Sequence, residues 1–199
     1  EVETTNDGNT AVLGSLQEGL TIVDINNPEN PIVRSSYDQD IDLVRRVAIA
    51  EVNEKLIVAA ITHKGTQHKI KFIDITNSSS PRELSSINIS DRHHNVAVDV
   101  SDGKHYAYVT SDEYVRIVDF TEPERAEIIY TFEDGKDGFG NLKASVGIDV
   151  VKTGSSTYLL LISKQDNSIV IADISNPEQP KFISSAKNGS EFTALGDPF

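Results

Sequence analysis

One short motif occurs four times in this chain, and the repetition constrains the fold more than any other feature. Each copy is a run of β-forming apolar residues that ends in an aspartate and leads into a polar turn marked by proline. The aspartates stand at positions 24, 74, 119 and 173, so the motif recurs every 45 to 54 residues. Recurrence at such a period is typical of a repeat architecture.

The motif aspartates are predicted to fasten turns. A carboxylate at the end of a strand can accept hydrogen bonds from N–H groups just ahead of it, and the proline that follows cannot continue a sheet ladder. General acid–base catalysis needs a partner group, but each copy contains one acid only. We therefore interpret as structural the four residues Asp24, Asp74, Asp119 and Asp173.

Three further strand patterns accompany the motif strand in a complete period. An alternating strand contains a small residue at Ala48, Ala97 or Gly147, a fully apolar strand follows a polar hairpin turn, and an outermost strand follows the proline turn. Four short antiparallel strands per period predict a propeller blade, whose radial stacking leaves only short edges exposed. The alternative, a two-sheet sandwich, should not show this periodicity.

The predicted fold class is therefore all-β: a β-propeller built of four-stranded antiparallel blades, about four of them in this chain. The chain is treated as a single propeller domain or propeller segment. Two arrangements remain open, a closed four-bladed ring and a part of a larger propeller. The blades are expected at about 1–37, 44–89, 94–132 and 145–184, with 191–199 starting or closing another blade through a strand at Glu191 to Leu195.

At the motif strand the sequence resembles the LVIVD repeat. The resemblance rests on LTIVD at 20–24 with the turn NNPENP at 26–31, and on IVIAD at 169–173 with SNPEQP at 175–180. It implies a propeller fold and a place outside the cell or on its surface, because these repeats occur mostly in exported and surface proteins of bacteria and archaea. Motif residues that build a blade form no site, so the resemblance implies little about activity.

Charge and composition exclude several classes of function. A net charge of −13 and a pI near 4.7 argue against nucleic acid and anionic membrane surfaces as partners. No apolar run is long enough for a transmembrane helix or a signal peptide, so this segment is not expected to insert into a membrane. The chain has no cysteine, which excludes disulfides and thiol catalysis. It also has no methionine, which indicates a processed product or an internal segment.

Histidines in the loops are candidate ligands of a transition metal. Loops that join second to third strands, and those that join one blade to the next, are expected to share one face of a propeller, where function concentrates. His63 and His68 fall in one such loop, and His93 and His94 fall in another. Imidazoles together with a carboxylate would suit zinc or a related ion, whereas the alternative is exposed histidines with no common focus.

Two acidic loops are candidate calcium sites. Calcium takes six to eight oxygen ligands, and acids at alternate positions can wrap around it. Neither loop matches the EF-hand pattern, and the alternative is a solvated acidic surface. The candidate ligands are Asp38, Asp40 and Asp42 in one loop and Asp134, Asp137 and Asn141 in the other.

Two functional hypotheses follow. The first is a non-enzymatic extracellular or cell-surface module, for example in adhesion, that binds a protein, a glycan or another copy of itself. It rests on a complete repeat fold without a recognisable catalytic constellation, so no catalytic or cofactor-binding residue is assigned. The alternative is a metal-binding or hydrolytic propeller enzyme that uses the loop histidines and acids. Metal analysis of the purified protein discriminates between the two hypotheses.

Overall fold

The computed structural model describes residues 1–15, 19–89 and 92–189, which form sixteen β-strands and one 3-10 turn. The predicted strand at Glu191 to Leu195 lies outside the described residues. The chain divides into two compact units, Glu1–Ser90 with Phe120–Ala126, and Asp91–Asp119 with Glu127–Phe199. Each unit contains two four-stranded sheets.

The first unit contains the first and second blades. Each blade is an antiparallel sheet whose strands pair in chain order, β1-β2-β3-β4 and β5-β6-β7-β8. Its strands are β1 (Val2–Thr4), β2 (Thr10–Gly14), β3 (Leu20–Asp24), β4 (Ile32–Tyr37), β5 (Leu43–Val52), β6 (Lys55–Lys64), β7 (Gln67–Asp74) and β8 (Arg82–Ile89). The 3-10 turn Pro123–Arg125 also belongs to this unit.

The second unit contains the third and fourth blades, again antiparallel and paired in chain order. Its strands are β9 (His93–Ser101), β10 (Lys104–Ser111), β11 (Tyr114–Asp119), β12 (Glu127–Glu133), β13 (Ser145–Thr153), β14 (Ser156–Ser163), β15 (Ser168–Asp173) and β16 (Lys181–Lys187). The predicted fold class is confirmed: the protein is all-β, with the four-stranded antiparallel blades of a β-propeller.

Every motif aspartate is the last residue of the third strand of its blade. A β-bulge interrupts the pairing of the third with the fourth strand at the same place in each blade, between the residues two and one before the aspartate. A bulge adds one residue to one strand and sharpens the local twist. The four blades therefore share an irregularity as well as a strand order.

Hydrogen bonds fix the turn after the third strand. The Asp24, Asp74 and Asp173 carboxylates each accept a backbone N–H from two residues ahead, at 2.8 to 3.0 Å. In the same three blades, the residue directly after the aspartate donates its N–H to a backbone carbonyl in the second strand or just before that strand begins. Ile75, for example, donates to the Leu56 carbonyl. The turn is therefore bonded both to the carboxylate and to the sheet, which satisfies donors that the ladder leaves free.

Apolar side chains pack blade against blade inside each unit. We call the face with the residues two and four before the motif aspartate the forward face, and the face with the residues one and three before it the rear face. In the first unit, Val12, Leu20 and Ile22 on the forward face of the first blade join a core with Val58, Ala60 and Ile73 on the rear face of the second.

The second unit repeats this packing. Tyr108, Val115 and Ile117 on the forward face of the third blade share a core with rear-face residues of the fourth, Leu159, Leu161, Val170 and Ala172. Full burial of such a side chain contributes about 1.5–3 kcal/mol, so the packing of one blade on the next stabilises each unit. These cores therefore position the two blades of each unit against each other.

Candidate functional site

The 38–42 loop of the first unit joins β4 to β5, and lysines pair with two of its acids. Asp40 Oδ2 lies 2.9 Å from Lys69 Nζ, and this hydrogen bond lowers the pKa of Asp40. Asp42 accepts the Gly65 N–H at 2.7 Å and pairs with Lys64, and these contacts, in that order, lower the pKa of Asp42. Asp40 and Asp42 are therefore already bound to protein groups.

A buried lysine lies beneath this loop, and sequence reasoning did not single it out. The Lys71 side chain, on β7, is only 2% exposed, and its Nζ lies 2.6 Å from Glu83 Oε2 and 3.2 Å from the Gln39 carbonyl oxygen. The Tyr37 hydroxyl donates to the same Glu83 oxygen at 2.8 Å. Burial raises the pKa of Tyr37, and the bond to Glu83 adds to the effect.

Opposing effects act on the Glu83 carboxyl. Burial alone would raise its pKa, but hydrogen bonds from Lys71 and Tyr37 outweigh burial and hold the pKa below its ordinary value. Glu83 is therefore ionised at neutral pH and balances the lysine charge. A charged residue inside the apolar run of the motif strand is the sequence signal that could have identified this group.

Two of the predicted histidine ligands are brought together. His63 and His68 face each other across the β6–β7 hairpin, with His68 Nδ1 3.2 Å from His63 Nε2. Their rings meet edge to face, with centroids 4.1 Å apart. The contact arises because residues directly opposite in an antiparallel pair have adjacent side chains.

The other two predicted histidines contact different groups in the second unit. His93 is fully buried, and its Nε2 lies 2.9 Å from Arg116 Nη1. His94 Nε2 lies 2.6 Å from Asp112 Oδ1. In residues 1–15, 19–89 and 92–189, no group of three or more histidine, aspartate or glutamate side chains is arranged to hold a metal ion. The zinc and calcium sites stay predictions.

The 134–144 segment of the second unit folds back on itself. Asp134 Oδ1 accepts the Leu142 N–H at 3.0 Å, and Asn141 Nδ2 donates to Ser185 Oγ at 3.2 Å. Phe139 is buried against Phe132, with ring centroids 4.6 Å apart, while Asp137 is exposed. Packing of an aromatic ring therefore holds this loop, and two of its predicted calcium ligands bond to protein groups.

An acidic cleft of about 250 Å³ opens beside this segment. Three carboxylate side chains line it together with one aromatic ring and one lysine, namely Glu113, Glu133, Asp134, Tyr114 and Lys143. The Arg116 guanidinium carbon lies 4.8 Å from the centre of the Tyr114 ring and supports that wall. Lys136 forms an ion pair with Glu133. Such a cleft suits a cationic group with an apolar stem.

Family comparison matches the LVIVD repeat at residues 8–39 and 158–187. Segments of the first and fourth blades therefore match this repeat. Both matched segments include the motif strand and the proline turn of a blade, whereas every residue of the acidic cleft lies outside them. The match therefore concerns the first and fourth blades, and the cleft lies outside it.

Solved structures with the same fold share little sequence with this chain. A protein of unknown function from Desulfotomaculum acetoxidans is 15% identical with a TM-score of 0.68, over 96% of this chain and 56% of that one. A candidate 6-phosphogluconolactonase from Bacteroides fragilis is 8% identical with a TM-score of 0.67, over 96% and 57%. A protein from Lactobacillus plantarum is 10% identical with a TM-score of 0.65, over 89% and 52%.

These likenesses concern the fold alone. The chain spans little more than half the length of the solved structures that it matches. No curated protein matches its sequence. In the part of the chain that the structure describes, no helix has the length and apolar character needed to cross a membrane.

Proposed function

We propose that this chain is a non-enzymatic binding module of an exported or cell-surface protein, and that its acidic cleft receives a lysine- or arginine-bearing segment of a partner protein. The observation that supports this most is the convergence of Glu113, Glu133 and Asp134 on one cleft with an aromatic wall. The occurrence of LVIVD repeats in exported bacterial proteins supports the location.

Electrostatics favours a basic partner over a neutral or acidic one. Carboxylates bind ammonium and guanidinium groups through charge-assisted hydrogen bonds, which are roughly twice as strong as neutral ones. The Tyr114 ring offers apolar surface to the methylene stem of a lysine or arginine. A net charge of −13 adds long-range attraction, which speeds encounter with a cationic partner.

The test is binding of a fluorescein-labelled oligolysine peptide, followed by fluorescence anisotropy at about 150 mM salt, where distant charges are screened. The double variant Glu113→Gln/Glu133→Gln removes two cleft charges. Glu127→Gln/Glu178→Gln is the matched control, because it removes two exposed charges of the same unit outside the cleft. We expect at least a tenfold loss of affinity in the cleft variant and little change in the control.

Equal weakening in both variants would show unspecific attraction to an acidic surface and would contradict the proposal. Glycan binding is tested by titrating neutral oligosaccharides with the same proteins. If an oligosaccharide bound and the cleft variant lost that binding, the partner would be a glycan and the basic-peptide assignment would be wrong.

The second candidate is transition-metal binding at the His63–His68 pair, favoured by the 3.2 Å separation of their ring nitrogens. Zinc titration by calorimetry tests it, with His68→Gln as the variant and His105→Gln, outside the pair, as the control. Stoichiometric binding that only His68→Gln abolishes would support the metal-binding alternative. Equal behaviour of the two variants would exclude this pair as the site.

A further inference from the structure

The turn after the motif aspartate has a different sequence in the second blade. In the other three blades the fourth residue after the aspartate is proline and the fifth is glutamate, namely Pro28-Glu29, Pro123-Glu124 and Pro177-Glu178. In the second blade these two positions are Ser78 and Ser79, and Asn77 precedes them. N-linked glycosylation requires Asn-X-Ser or Asn-X-Thr, where X is not proline. The second blade therefore departs from the repeat at both positions that this acceptor sequence needs.

The backbone of the turn is the same with either sequence. Asn77 accepts the Ser80 N–H at its carbonyl oxygen at 2.9 Å and the Ser79 N–H at its side-chain Oδ1 at 3.1 Å. Asn27 in the first blade and Asn176 in the fourth form the equivalent two bonds at 3.0 and 3.1 Å. The two serines are therefore not needed to form the turn.

The second residue of the turn packs in the same way as serine or as proline. The Ser78 carbonyl accepts a hydrogen bond from the Ser35 hydroxyl on β4 at 2.6 Å. The Pro123 carbonyl accepts one from the Ser85 hydroxyl on β8 at 2.5 Å. Proline is the favoured residue at this position, because its ring sets the backbone angle that the turn uses. Neither packing nor turn stability explains the serine in the second blade.

The acceptor amide is exposed between β7 and β8. Asn77 and Ser79 are both exposed. Among the described residues Asn77 Nδ2 donates no hydrogen bond, since the turn uses only Oδ1. The bond from the Ser79 N–H holds the amide beside the residue whose hydroxyl the acceptor sequence requires. The other two Asn-X-Ser sequences, which begin at Asn88 and Asn188, end outside the described residues.

We propose that Asn77 is the acceptor of an N-linked glycan, and that a lipid-phosphate-linked oligosaccharide is the donor. Asn77 Nδ2 forms a bond to the anomeric carbon of the sugar, and the bond from that carbon to the phosphate oxygen breaks. The lipid phosphate leaves, and a base of the transferring enzyme takes one amide proton. This proposal rests on the exported location in the proposed function, because N-linked acceptors are surface segments of secreted proteins. It does not involve the acidic cleft, which belongs to the second unit.

Mass spectrometry of the protein isolated from the cells that produce it tests the proposal. Tryptic cleavage after Lys71 and Arg82 gives a peptide in which Asn77 is the one asparagine. We expect this peptide to carry the added mass of whole sugar residues, which fragmentation places on Asn77. Asn77→Gln and Ser79→Ala should each abolish the modification. Ser79→Thr keeps a hydroxyl and Ser78→Ala changes the position that tolerates any residue except proline, so both should retain it.

The first blade offers a matched control for turn geometry. Pro28→Ser/Glu29→Ser completes the acceptor sequence at Asn27, in a turn with the same hydrogen bonds, and should add a glycan there. An unmodified Asn77 in the unchanged protein would overturn the proposal, most directly if Asn27 of this variant were modified. Sugar attached to a serine of the peptide would also overturn it. A glycan on Asn77 in a protein that fails to bind oligolysine would support this proposal and contradict only the cleft assignment.

Discussion

Two buried cations stand at the same place in the repeat, three residues before the motif aspartate, but different groups surround them. Lys71 in the second blade contacts the Glu83 carboxylate and the Gln39 carbonyl. Arg116 in the third blade contacts the His93 ring and supports the Tyr114 wall of the acidic cleft.

The comparison separates two tasks within one motif. The aspartate and its apolar neighbours build the blade in every copy, while the residue three before the aspartate differs: Thr21, Lys71, Arg116 and Val170. This residue sets the local chemistry beneath a loop. In the second blade it anchors the 38–42 loop, and in the third it supports the cleft.

The largest effect is expected from Glu83→Gln. Removing one partner of a buried pair leaves an uncompensated charge, which costs about 3–5 kcal/mol. Because Glu83 itself is partly exposed, we expect the lower end, about 3 kcal/mol, in urea unfolding. The double variant Lys71→Met/Glu83→Gln removes the charge and should recover most of the stability. A loss below about 0.5 kcal/mol, typical of surface substitutions, would contradict the buried-pair interpretation.

Acidification should remove part of the same stabilisation. Because the folded pKa of Glu83 lies below its ordinary 4.5, its contribution is fully present above that pH and disappears as pH falls through the folded pKa. The difference in unfolding free energy between the unchanged protein and Glu83→Gln should therefore be constant near neutrality and shrink below pH 4.5. A difference that grows on acidification would reverse the assignment.

Replacing Arg116 by lysine, the cation of the second blade, tests whether the third blade needs a guanidinium at this position. Arg116→Lys replaces a planar guanidinium, which lies against Tyr114 and bonds to His93, by a compact ammonium. We expect a loss of about 1–2 kcal/mol in unfolding free energy, the range of typical destabilising substitutions. Arg125→Lys, at an exposed guanidinium, is the control and should change little. Equal effects at the two positions would show that the contacts of Arg116 contribute nothing.

The motif aspartate is expected to matter less than the buried cations. Asp173→Ala removes the acceptor of the Ser175 hydroxyl and N–H bonds, which lower the pKa of Asp173. A typical hydrogen bond contributes about 1 kcal/mol, so this is the loss expected in urea unfolding. Asp173→Asn keeps an acceptor oxygen and should retain part of it. If Asp173→Asn were as destabilising as Asp173→Ala, the charge and not the turn would be responsible.

Local patterns explain why the blades could be predicted from sequence. Alternation, apolar runs and proline turns act over a few residues, and their fourfold recurrence gave the strand order of every blade. The contacts of Glu83 with Lys71 and Tyr37 could not be predicted in the same way. Tyr37 is 46 residues from Glu83 and meets it only through blade packing. The sequence does show Lys71 as a charged residue inside the apolar run from Ile70 to Ile73.

Histidines show the same limit at closer range. His93 and His94 are neighbours in sequence, yet they contact Arg116 and Asp112 respectively. His63 and His68, five residues apart, meet because the hairpin register places them opposite each other. The four histidines lie in strands β6, β7 and β9 and not in the predicted loops. Their contacts depend on strand register, which the sequence pattern left open.

Added calcium should change the melting temperature least of all these tests. It would act on the 38–42 loop near Lys71 or on the 134–144 segment near Arg116. Asp40 and Asp42 pair with lysines and Asp134 accepts a backbone N–H, so calcium must displace existing partners in either loop. An ion that binds only the folded state raises its melting temperature, whereas screening does not distinguish calcium from magnesium. We expect millimolar calcium, at constant ionic strength, to raise the midpoint no more than magnesium does. A rise specific to calcium that Asp42→Asn abolishes, but Asp137→Asn does not, would assign the site to the 38–42 loop.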